Sequence, residues 1–133
     1  MSVTLDTNIY VSAVNYHGLP YRLLQMARAG TLEVDISDAI EQELSRVLRV
    51  DFKWDGYRIN DLSQRLRKFT NRVTPTTTVR VVDDPDDDRI VECALAGGST
   101  HIITRDKALL RLGDYQGIAI MNDRDYLELG RQR

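Results

Sequence analysis

Cysteine occurs only once in these 133 residues, as Cys93. An internal disulfide framework is therefore excluded, and a reducing compartment suits the chain. Histidine occurs only at His17 and His101, too few and too isolated for a zinc site. No apolar run approaches the length that crosses a membrane. The opening MSVTLDTN has neither a basic start nor a small-residue cleavage site, so no secretory signal is read there and a cytoplasmic protein is expected. No glycine-rich phosphate loop follows the first strand candidate, no G-x-S-x-G elbow occurs, and no histidine stands near Cys93 in sequence. Cys93 reads as a packing residue. Repeats, low-complexity stretches and linkers are also missing, which points to a single domain over residues 1–133.

What is present is a soluble, globular composition: 42% apolar and 29% charged residues. The net charge of −2 hides an uneven distribution. Residues 1–45 carry two Lys/Arg against six Asp/Glu, residues 46–80 nine against three, and residues 81–133 seven against eleven. Acidic flanks can hold cations and a basic middle can hold an anion such as nucleic acid, although a solvated helical face would give the same count.

The β-branched run SVTLD (2–6) reads as a strand that ends on an aspartate. LPYRLLQMARAG (19–30) has helical spacing and stops at Gly30, TLEVDIS (31–37) alternates as a strand does, and SDAIEQELSRVLRV (37–50) is helical again. INDLSQRLRKF (59–69) predicts another amphipathic helix, VRVV (79–82) a third strand, and the following residues a helix to about Ala96 that Gly97 and Gly98 end. HIIT (101–104) predicts a buried strand, 105–112 a short helix, GIAIM (117–121) a last strand and DRDYLEL (123–129) a last helix. Strands alternating with helices indicate an α/β fold with a largely parallel sheet and a helical insertion between strands 2 and 3.

In such sheets ligands bind beyond the carboxyl ends of the strands. Three groups of acids fall there: Asp6 after the first strand, Asp106 after HIIT, and the run DDPDDD (83–88) after VRVV. Asp6 and Asp106 read equally well as helix caps. In the run, Pro85 fits the first helical position and makes Asp84 the N-cap. At about 100° per residue, Asp87 then falls on the apolar stripe of Ile90, Val91, Ala94 and Leu95, while Asp86 and Asp88 fall to either side, toward water. A carboxylate aimed inward needs a partner or a metal; a capping box with Asp84 would satisfy backbone donors without explaining that direction. On the 37–50 helix, Glu41 reads as the end of a capping box with Asp38, which leaves Glu43 without a local explanation. Carboxylates that converge cannot all ionise without cations, and hard oxygen donors suit Mg²⁺ or Mn²⁺. Such a site polarises a phosphoryl oxygen and activates water for phosphodiester cleavage.

These residues resemble the PIN-domain family of metal-dependent ribonucleases, most closely its toxins from toxin–antitoxin systems. The likeness runs from VTLDTNIYVSA through DPDDDRIVECALAGGSTHIITRDKALL to the final strand. The family's D-T/S-N motif matches Asp6, Thr7 and Asn8, its helix glutamate matches Glu43, its helix-opening aspartate matches Asp87, and its Thr-x-Asp matches Thr104, Arg105 and Asp106. The resemblance implies a three-layer α/β/α fold with a five-stranded, mostly parallel sheet, frequent homodimers, and for toxin members a small antitoxin over the active site. It also implies a metal held by Asp6, Asp87 and Asp106 with help from Glu43, and oriented through hydrogen bonds by Asn8 and Thr104. A receiver or phosphoaspartyl phosphatase fits less well, because only Asp6 follows the first strand and Asn8 stands two residues on.

The basic middle supplies a substrate face: Arg46, Arg49, Lys53, Trp54 and Arg58, with Phe52 and Tyr57 interleaved, can grip single-stranded RNA. The same aromatics would serve to pack the insertion or a dimer contact. On the RNA reading, Trp54→Ala weakens binding and leaves folding intact. The rival to a ribonuclease is a PIN-like module without useful catalysis that acts by binding RNA or protein.

Overall fold

The run SVTL becomes β1 (Ser2–Leu5), a central strand with all four residues buried. Burial of alternate residues alike means that both faces of the sheet are covered here, as in parallel sheets flanked by helices. The computed structural model describes residues 1–131; the last two residues of the domain expected over 1–133 lie outside it. After β1 come α1 (Thr7–Tyr16), α2 (Gly18–Arg28), β2 (Glu33–Ile36), α3 (Asp38–Val50) and α4 (Gly56–Phe69). The chain continues through β3 (Asn71–Arg72), α5 (Pro85–Gly97), β4 (His101–Ile103), α6 (Lys107–Leu112), β5 (Asp114–Tyr115), β6 (Ile118–Met121) and α7 (Asp123–Arg131).

The sheet order is β3-β2-β1-β4-β6-β5. Every pairing is parallel except β5 with β6. The α/β class and the parallel sheet expected from the sequence are found, with six strands in place of five. The additional strand is the two-residue β5, joined to β6 by a turn whose central residues, Gln116 and Gly117, have φ of 49° and 85°. Positive φ at both positions is what a two-residue hairpin turn requires.

The third strand lies elsewhere than expected. VRVV (79–82) is outside the sheet, and β3 is Asn71–Arg72, paired with β2. Carboxylates replace the missing sheet partner. The Val79 amide donates to Glu92 Oε2 at 2.9 Å, and the Val81 and Val82 amides donate to Asp88 Oδ1 at 2.9 and 3.1 Å. Asp88 is consequently buried, contrary to the solvated position expected for it. Satisfying backbone donors offsets the cost of burying its charge.

Local signals set the helix starts. Asp84 caps α5 by accepting from the Asp86 amide, with Pro85 next, as the sequence implies. For α3 the cap is Ser37, which accepts from Ile40, and the proposed Asp38–Glu41 box does not form. Glu41 instead accepts from Arg72 at 3.0 Å and Ser63 at 2.9 Å. Those longer-range donors join α3 to α4 and β3.

Candidate active site

Register brings the first two acids together. Leu5 of β1 is level with Ile103 of β4, and the Asp6 amide donates to the Ile103 carbonyl at 2.9 Å. Asp6 and Thr104 therefore leave adjacent strands side by side. The Thr104 hydroxyl donates to Asp6 Oδ2 at 2.6 Å and accepts from the Asp106 amide at 2.9 Å. Thr104 is fully buried and Asp6 almost so. Burial raises the Asp6 pKa, and the charge of Asp106 adds to the rise; the Thr104 hydroxyl and the Thr7 and Asn8 amides oppose it without cancelling it.

Asp106 also caps α6, its Oδ2 accepting from the Leu109 amide at 3.1 Å. For this residue the capping reading is part of the structure, and it fixes the carboxylate's position beside Thr104. Asp6 makes no side-chain cap bond to α1. The open choice between cap and site therefore separates the two residues.

Asp87 reaches the same place from α5. Partial burial, then the charges of Asp106 and Asp6, a hydrogen bond with Asp106 and the charge of Asp84 push its pKa up to about 7. A carboxyl is lifted that far when it loses solvent and like charges stand beside it. Asp6, Asp87 and Asp106 thus form one electrostatic unit. Among the described residues, no three Asp, Glu, His or Cys side chains are already arranged to hold a metal ion.

Glu43 stands at the rim of this unit, with Asp86. Asp86 is raised by burial first and then by the charges of Glu43 and Asp84. Both Glu43 oxygens accept from Arg46, at 3.1 and 2.5 Å. Glu41 is committed to Arg72 and Ser63 instead. Asn8 is exposed, and it is the backbone amide of this residue that acts on Asp6.

The expected substrate face is divided. Arg46 lies with Glu43 near the acids, whereas Arg49, Lys53 and Arg58 are exposed farther along. Trp54 is only 8% exposed and belongs to the core. Its Nε1 donates to Asn15 Oδ1 at 3.3 Å, and the Arg58 guanidinium lies 3.6 Å from its ring centre. The reading of this side chain as core packing is the one that holds.

One supporting pair was not anticipated. Arg105, inside the Thr-x-Asp motif, donates to both oxygens of the buried Asp123 at 3.0 and 2.6 Å. This braces the turn between Thr104 and Asp106 against the start of α7. Asp123 had only the signature of a helix start, and nothing local distinguishes a capping aspartate from a buried brace.

The family model described as PIN domain matches residues 2–108. No curated protein matches the chain in sequence. The fold is similar to a chain in the crystal structure of VapBC2 from Rickettsia felis bound to a DNA fragment from their promoter, with a TM-score of 0.66 and 18% identity over 92% of this chain and 98% of that one. It is also similar to a chain in the crystal structure of FitAcB from Neisseria gonorrhoeae, with a TM-score of 0.55 and 17% identity over the same shares of the two chains.

Proposed function

This chain belongs to the PIN-domain family, and from that premise we propose that it is a Mg²⁺- or Mn²⁺-dependent endoribonuclease acting on single-stranded RNA, the toxin of a toxin–antitoxin pair. The observation that carries the reading is the convergence of Asp6, Asp87 and Asp106 from three elements: Thr104 ties Asp6 to the Asp106 backbone, and burial together with the charges of Asp106 and Asp6 pushes Asp87 up to about 7. A divalent cation relieves such repulsion, and the donors are hard carboxylate oxygens with no thiolate or imidazole among them, which fits Mg²⁺ or Mn²⁺.

Asp6, Asp87 and Asp106 would hold the ion, with Glu43 assisting from the rim. When bound, the ion would lower the pKa of water and draw charge from the phosphoryl oxygens. The protein's own contribution is orientation. Thr104 locks Asp6 and the Asp106 backbone together, and the α6 cap holds the Asp106 carboxylate. Arg46, beside Glu43 and Asp86, offers a guanidinium for the substrate phosphate.

Both structural neighbours support the pair reading: one is part of VapBC2 on promoter DNA, and the other part of FitAcB. A groove of about 540 Å³ between α1, α2 and α4 has Val14, Leu24 and Leu66 among its lining and Arg28 and Lys68 at its edge. It suits an amphipathic partner segment of acidic character, as a small antitoxin would supply. A homodimer in the cytoplasm accords with the family reading.

The test compares wild type with Asp87→Asn on mixed RNAs with Mn²⁺. Cleavage should fall by at least about a hundredfold, as expected for loss of a metal ligand. Cleavage that survives EDTA, or that persists at the wild-type rate in the variant, refutes the mechanism. The rival reading, a module that only binds, draws on one observation: the acids are not yet at ligating spacing. It predicts no change in Tm on Mn²⁺ titration, where the nuclease reading predicts a rise.

A further inference from the structure

The two most exposed aromatic side chains lie far from the carboxylates and close to exposed cations. Tyr16 is 72% exposed at the end of α1, and Tyr57 is 87% exposed in the first turn of α4. The ten residues of α1 separate Tyr16 from the Asp6 end by about 15 Å, at about 1.5 Å per residue.

Tyr57 stands open to solvent, while Tyr16 has a neighbouring ring. Phe52 meets Tyr16 edge-on at 6.1 Å. His17, exposed, is already stacked on Tyr21, with ring centres 4.5 Å apart and planes 23° from parallel. Buried Trp54 is the floor that joins the two elements, bonded to Asn15 below Tyr16 and covered by Arg58. Three non-glycine residues have left-handed φ among the described residues, and two of them, His17 at 64° and Lys53 at 59°, are in this patch. Such conformations cost free energy and concentrate where side chains are held for a purpose.

We infer that the end of α1 and the α3–α4 turn form an anchor for single-stranded nucleic acid, with Tyr16, His17 and Tyr57 as stacking faces and Lys53 and Arg58 as phosphate contacts. Ring faces and cations together are what unpaired strands require. Asp55 caps α4 through the Arg58 amide, and among the described residues neither Lys53 nor Arg58 is in an ion pair with Asp55 or with Asp51. Beyond the rings, exposed large apolar area is limited here to Val50, so what the patch presents is ring faces and cations. The ligand class rests on the ribonuclease reading; the stacking geometry does not.

The experiment measures binding of fluorescein-labelled oligouridylates of about four and about twelve nucleotides in EDTA, by anisotropy. Wild type should bind the longer strand more tightly, and Tyr16→Ala/Tyr57→Ala should lose at least about tenfold of that affinity. Tyr57→Ala alone, at a nearly fully exposed position, should lose part of it with an unchanged Tm. Lys53→Glu should weaken binding and lower its salt dependence. Equal affinity of the double variant and wild type overturns the anchor while Mn²⁺-dependent cleavage leaves the nuclease reading standing. Tyrosine-dependent binding by a protein that never cleaves RNA sustains the anchor and removes the nuclease. A change of oligomeric state in the double variant with unchanged RNA affinity also overturns the anchor, in favour of a protein interface.

Discussion

The Thr104 hydroxyl donates to Asp6 Oδ2 at 2.6 Å while it accepts from the backbone amide of Asp106 at 2.9 Å. One buried oxygen thus sets the relative position of two acids that are 100 residues apart in sequence. Valine in its place would keep the shape and lose both bonds. Thr104→Val should destabilise the protein by about 1–3 kcal/mol, through an unpaired buried carboxylate and amide. It should also weaken Mn²⁺ binding by about 10–100-fold. Thr104→Ser should retain most of both. Thermal melts with and without Mn²⁺ check this, and equal Mn²⁺ responses of the valine variant and wild type would dispose of the positioning role.

Gly97 makes room for a different carboxylate. A Cβ there would lie 2.5 Å from the side chain of Asp35. Asp35 cannot retreat, because Ser2, Ser99 and Asn71 donate to it at 2.5, 2.6 and 3.3 Å inside the core. Helix propensity alone favours alanine over glycine by about 1 kcal/mol. Overpacking of a buried polar cluster outweighs that, so Gly97→Ala should destabilise by about 1–3 kcal/mol. Urea denaturation decides it; a stabilised variant would show that the cluster yields.

Trp54→Ala tests the revision of the substrate face. The buried indole supports Arg58 and joins α1 to the α3–α4 turn. Its removal should cost about 3–5 kcal/mol, as for other large aromatic side chains in cores. A variant that melts with wild type would restore the expectation that this side chain is dispensable for folding.

The Arg105–Asp123 brace predicts an acid limb. Burial pushes the Asp123 pKa up, but the hydrogen bonds and charge of Arg105, with nearby backbone amides, outweigh it and hold the pKa below the ordinary value. A lowered folded pKa means that the unfolded chain binds more protons, so stability rises with pH through this window. The contribution is present above the unfolded value of about 4 and is lost as pH falls through the folded value. Asp123→Asn should destabilise at neutral pH, and its deficit against wild type should shrink below about pH 4. Denaturation curves across pH measure the gap; a constant gap would mean that the ion pair contributes nothing.

Helix signals were legible because they are local. The Asp84–Pro85 start and the glycine end of α5 follow from backbone chemistry that neighbouring residues carry with them. The misplacement of VRVV has the opposite cause. Its β-branched run satisfies every local rule for a strand, and only the carboxylates of Asp88 and Glu92, brought up by α5, claim its amides. Helical phase turns Asp88 toward solvent for the same reason, since it cannot reveal an extended segment lying over that residue. Asp35 was likewise hidden. Alternation in TLEVDIS makes Leu32, Val34 and Ile36 the apolar face, but helices cover both faces of the sheet toward the strand's end, so Asp35 on the polar face is buried too.

The sequence by itself determined the alternation of strands and helices, the start of α5 and the short list of acids at strand ends, because period, caps and turn residues act within a few positions. Tertiary structure alone decided how those acids differ. Strand register put Asp6 beside Thr104, helix packing brought Asp87 against Asp6 and Asp106, and long-range donors took Asp88, Glu41 and Asp123 for the framework. A carboxylate's role depends on the charges and donors that surround it in space, and those come from distant parts of the chain.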